Sequence, residues 1–185
     1  MVKLVLINGL TLLRLPLSLV FCIMIVMYGH PLLPCILLFI VIGASDYLDG
    51  KLAWKFQAQT DIGAKLDVAA DFFFILMACL SWAYLNLFPV WMVGIILMKF
   101  IEFLITSAIN KKRSKTVFKF DPLGRIAAVL FYLLPVGVLL LLHYGSDTWQ
   151  ELVLNLICIA ITVLAVSSSF LRIGFLVKAR KEYIK

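Results

Sequence analysis

Residues 46–71 hold five of the ten acidic residues of this chain, inside an otherwise apolar sequence. Carboxylates are expensive to hold near lipid, so acids kept between apolar runs point to function. Asp46 and Asp49 stand at i,i+3 and Asp67 and Asp71 at i,i+4, so each pair shares one face of a helix. Four carboxylates brought together repel one another unless a cation neutralises them. An all-oxygen donor set selects Mg²⁺, Mn²⁺ or Ca²⁺ over zinc. Two such ions about 3.5–4 Å apart are a usual device for phosphoryl chemistry. Gly50 and Gly63 flank the acids and would let a ligand approach the backbone. Asp61, after Thr60 in the connecting loop, reads as a helix-start residue and not as part of the cage.

The elements that must carry these acids are membrane helices. The 185 residues are 64% hydrophobic and only 15% charged, well above the roughly half apolar content of a soluble domain. That length allows six spans of roughly 20 residues with short loops. The expectation is an all-α integral membrane protein, a single domain over 1–185. Its spans are placed near 10–28, 32–54, 63–85, 90–109, 123–142 and 151–177. Asp46 and Asp49 fall in the last turns of the second, and Asp67 and Asp71 early in the third. The opening MVKLVLINGLTLLR is amphipathic enough to form an N-terminal interfacial segment. It lacks a small-residue cleavage signal and reads as retained.

A net charge of +7 in a soluble protein would suggest nucleic acid. Here the basic residues cluster at 110–125 and 178–185, beside apolar runs, so no nucleic-acid partner is expected. With the N-terminus inside, the turns at 29–31, 86–89 and 143–150 lie outside and contain no Lys or Arg. That asymmetry predicts both termini and all four aspartates at the cytoplasmic face of a cell membrane. Cys22, Cys35, Cys79 and Cys158 lie singly in apolar runs and read as small buried residues. His30 and His143 fall in outside turns, far from the acids, and receive no role. Phe72, Phe73, Phe74, Trp82 and Trp91 are expected to face lipid or the interface. Lys99 and Glu102, at i,i+3, are expected to pair within the bundle.

The acidic window resembles the CDP-alcohol phosphatidyltransferase signature D-x2-D-G-x2-A-R-x8-G-x3-D-x3-D. It reads Asp46, Asp49, Gly50, Ala53, Trp54 in place of Arg, then Gly63, Asp67 and Asp71, with every spacing kept. Asn8, Thr11 and Arg14 are similar to the N-x2-T-x2-R of the family's N-terminal segment. The resemblance implies transfer of a phosphatidyl group from a CDP-linked lipid, typically CDP-diacylglycerol, to a small alcohol with release of CMP. It implies two Mg²⁺ or Mn²⁺ ions on Asp46, Asp49, Asp67 and Asp71, with Asp71 also the general base. It further implies a nucleotide site at Gly50, Ala53, Gly63, Asn8, Thr11 and Lys55, and a homodimer.

Trp54 removes the guanidinium expected at the nucleotide, leaving Lys55 as the nearby charge and Trp54 itself either stacked on a base or anchored at the interface. Ile101-Glu102-Phe103-Leu104 resembles the R-E-F-L of phosphatidylglycerophosphate synthases with its Arg lost. Gly124-Arg125-Ile126-Ala127-Ala128 resembles their G-K-x-K-T without the second Lys and the Thr. Arg125, Arg172 and Lys112 are the candidate ligands of an acceptor phosphate, the acceptor being glycerol 3-phosphate or another phosphorylated polyol. Three other readings compete: an aspartate-rich prenyltransferase, which needs more spans; a cation transport protein, which would hold its acids at the bilayer midplane; and a catalytically altered relative.

Overall fold

A computed structural model describes residues 2–57, 60–112 and 122–184. They form six helices: α1 (Val2–Met27), α2 (Leu32–Lys55), α3 (Asp61–Tyr84), α4 (Val90–Lys112), α5 (Pro122–Tyr144) and α6 (Asp147–Ile184). A helix of 24 residues, such as α2, is about 36 Å long, enough to cross a hydrocarbon core of roughly 30 Å. Among the described residues five stretches are long and apolar enough to span: Gly9–Met27, Leu32–Lys55, Gly63–Tyr84, Leu123–Tyr144 and Trp149–Gly174. The fourth helix, α4, is 23 residues long and carries Lys99 and Glu102 near its middle. The protein is an all-helical integral membrane protein.

The opening segment differs from expectation, being continuous with the first span. Val2 to Met27 make one helix through Pro16. A proline removes one backbone donor, which membrane helices tolerate, and Pro16 sits on the exposed side of α1. Two residues on, Ser18 Oγ donates to the Arg14 carbonyl at 2.6 Å. At the other end, α6 runs beyond the expected limit to Ile184.

Local chemistry sets the boundaries. Gly29, at φ +68°, and His30, at +49°, turn the chain from α1 into α2. Thr60 caps α3, its hydroxyl accepting from the Gly63 amide at 3.0 Å. Asn86 adopts φ +58° between α3 and α4. Gly145 ends α5 where a Cβ would lie 2.5 Å from the Leu141 carbonyl oxygen.

Packing is densest where α1 lies against both α2 and α3, and where α5 lies against α6. The core centres on Phe21, Ile42, Phe74, Trp82 and Leu139, all essentially without solvent contact. Phe74 meets Phe21 edge-on at 5.4 Å and tilts against Tyr132 at 5.5 Å. This corrects the expectation for Phe74 and Trp82, which are core residues; Trp91 does reach the outside. All four cysteines are buried thiols, as expected.

Candidate active site

Helix packing delivers five charged side chains to one point. Asp46 and Asp49 come from the last turns of α2, Asp67 and Asp71 from the early turns of α3, and Arg14 from α1 between them. Arg14 Nη1 donates to Asp46 Oδ1 at 2.9 Å and to Asp71 Oδ1 at 2.6 Å. Its Nη2 donates to Asp49 Oδ2 at 2.6 Å and to Asp67 Oδ1. All four terminal guanidinium hydrogens are thus engaged, in the planar fork that suits Arg to carboxylates. The Arg14 side chain is 0% exposed. Thr11, one helical turn before it, donates from Oγ1 to Asp49 Oδ2 at 2.7 Å.

The four carboxylates share the one guanidinium of Arg14. Oxygens of Asp46, Asp49 and Asp67 lie within 4.8 Å of one another, so these three residues can hold a metal ion. The donors are all hard oxygens, which fits Mg²⁺ or Mn²⁺ and disfavours zinc. Asp49 is nearly enclosed at 4% side-chain exposure, while Asp71 is 32% exposed and opens to a cavity. That cavity, of about 500 Å³, is lined by Asp46 and Asp71 together with Lys99, Arg125 and Arg172 and an apolar wall from α3, α4 and α5. Tyr132 Oη, on the same wall, is buried without a hydrogen-bond partner among the described residues.

Residues 4–171 match the profile of the CDP-alcohol phosphatidyltransferase family. The chain belongs to that family. Over 105 residues it is 33% identical to a cardiolipin synthase (CMP-forming) of Streptomyces coelicolor, a stretch covering 56% of this chain and 47% of that relative. The match therefore spans about half the length of the curated relative. No solved structure matches the chain significantly.

The phosphatidyltransferase signature can now be followed residue by residue. Its four aspartates converge. Thr11 joins them through Asp49, and Arg125 and Arg172 share a cavity with Asp46 and Asp71. Gly50 directly follows Asp49 on α2, with open space where a Cβ would project. Ala53 is half-buried, and Lys55 is exposed at the helix end. The Gly63 amide is committed to the α3 cap. The side chains of Asn8 and Lys112 lie outside the described residues. Trp54 is 75% exposed, the setting of an interfacial anchor.

Two features do more than the sequence assigned them. Arg14 was matched only to the family's N-terminal segment, without a role in the aspartate cluster, although a charge inside a span is itself a functional signal. Lys99 and Glu102 do pair, at 2.8 Å, and Lys99 also donates to Ser169 Oγ at 2.9 Å and to the Ala165 carbonyl at 3.2 Å. Three acceptors use all three ammonium hydrogens, so Lys99 ties α4 to α6 on the cavity wall.

Proposed function

We propose that this phosphatidyltransferase moves a phosphatidyl group from CDP-diacylglycerol to the hydroxyl of a phosphate-bearing alcohol, releasing CMP. The observation that carries the reading is the convergence of four carboxylates beside a cavity that also holds two arginines. Asp46, Asp49, Asp67 and Asp71 are the proposed ligands for two Mg²⁺ or Mn²⁺ ions. A divalent cation supplies charge stabilisation to the diphosphate and to departing CMP.

Asp71 combines ligation with a position on the cavity wall, so it is the proposed general base. It accepts the proton of the acceptor hydroxyl as the new O–P bond forms on the lipid-bearing phosphorus. The P–O bond to CMP breaks, and the electron pair leaves with CMP. Gly50, Ala53 and Gly63, with Asn8, Thr11 and Lys55, line the proposed nucleotide side. Arg125 and Arg172, joined by Lys112, hold the acceptor phosphate, where an arginine fork can take two oxygens at once. The site faces the cytoplasm, supported by the charge asymmetry of the loops.

The apolar wall of the cavity favours an acceptor phosphate carried on a lipid over a free sugar phosphate. The Streptomyces relative's name points the same way, since cardiolipin joins two phosphatidyl groups through glycerol. The test is CMP release by purified protein in mixed micelles of CDP-diacylglycerol with either phosphatidylglycerol or glycerol 3-phosphate. Release with phosphatidylglycerol alone supports the lipid acceptor; release with glycerol 3-phosphate alone returns the reading to a phosphorylated polyol. Cation flux in liposomes with no CMP release from any acceptor would instead favour a transport protein.

A further inference from the structure

Arg14 occupies the space that a cation on the same oxygens would need. Its Nη2 sits between Asp49 Oδ2 and Asp67 Oδ1, and its Nη1 between Asp46 Oδ1 and Asp71 Oδ1. Mg²⁺ approaches carboxylate oxygens to about 2.0–2.1 Å, so an ion bridging either pair would overlap the nitrogen already there. Two positive groups in that space would also repel.

We propose that Arg14 is a resident countercation of the aspartate cage, displaced from the shared carboxylate oxygens when a divalent ion binds. The proposal rests on the metal reading given above. Two observations support it beyond the carboxylates themselves. Among the described residues Arg14 is held through its terminal edge, its buried Nε having no hydrogen-bond partner there. The guanidinium is therefore fastened by the same oxygens that a metal would claim. Second, Arg14 on α1 is paired with carboxylates of both α2 and α3, and without it the four would lose the cation they share. Breaking up such a buried charge group is strongly destabilising. A single group thus both keeps the cage assembled and competes for it.

Competition of this kind weakens apparent affinity by the fraction of molecules whose binding state is available. The experiment is a Mn²⁺ titration of purified protein in detergent, followed by electron paramagnetic resonance, for the parent, Arg14→Gln and Arg14→Lys. Arg14→Gln is expected to bind Mn²⁺ at least about tenfold more tightly than the parent. Arg14→Lys, which keeps the charge, is expected to stay closer to the parent. Equal or weaker binding by Arg14→Gln overturns the displacement and leaves the metal reading standing. An absence of Mn²⁺ binding in parent and variants overturns both. A second arm uses the parent alone, in case the variants do not fold. Modification of Arg14 by phenylglyoxal, read by peptide mass mapping, is expected to rise on Mn²⁺ addition because the guanidinium leaves its enclosed position. Unchanged reactivity in Mn²⁺-loaded protein overturns the proposal.

Discussion

Asp49 and Asp71 carry the same functional group in different surroundings, and the difference separates their expected effects. Asp71 faces the cavity, so Asp71→Asn should lower the turnover of CMP release by about 10²–10⁴, the usual contribution of a general base. Asp49 is enclosed and accepts from both Arg14 and Thr11. Thr11→Val removes a hydrogen bond to a charged group, a loss of about 1.5–3 kcal/mol, and should appear chiefly in thermal stability. Tyr132 offers the opposite case. A buried hydroxyl with no partner costs stability, so Tyr132→Phe should leave the unfolding temperature unchanged or raise it. If that hydroxyl meets the acceptor, the same change should raise the acceptor KM by about 2–10-fold. An unchanged KM would show that Tyr132 plays no part in binding.

At the level of elements, the site depends on how α3 starts. Thr60 caps the helix that carries Asp67 and Asp71. Thr60→Ala should cost about 1 kcal/mol of stability, measurable by thermal unfolding, and should weaken Mn²⁺ binding through the frayed first turns. The helices and their order were readable from apolar runs and turn residues, and the pairing of acids on one face followed from helical spacing alone. Which faces are buried was not. In a lipid solvent the outer surface is as apolar as the core, so a helix hydrophobic all round gives no sign of its inner side. Phe74 and Trp82 belong to such a helix, and only the packing of α1, α4 and α5 against α3 shows them to be core. The pairing of Arg14 with the aspartates was hidden for a related reason. Its partners lie 32 to 57 residues away along the chain, and no local pattern records that α1 lies against both acid-bearing helices.

For the whole molecule, the expected behaviour is that of a metal-dependent enzyme with a one-sided site. Chelation of divalent ions should stop CMP release, and Mg²⁺ or Mn²⁺ should restore it where Zn²⁺ does not. Loss of Arg125 or Arg172 as Met should raise the acceptor KM more than that for CDP-diacylglycerol, measured by varying each substrate in turn. A parallel rise in both constants would count against a dedicated acceptor phosphate site. The family could be read from eight motif positions, of which only the Arg replaced by Trp54 is missing. The outward placement of Trp54 shows that the aspartate cluster assembles without that guanidinium.

The ionic knot that Arg14 makes with the four aspartates joins α1, α2 and α3. Those are three consecutive segments, and each would bring unneutralised charge into lipid if it entered alone. Their mutual attraction gives the N-terminal half a reason to gather as one unit during membrane insertion, with Arg14 held in readiness for the aspartates that follow. The later helices then close the cavity against charges already neutralised.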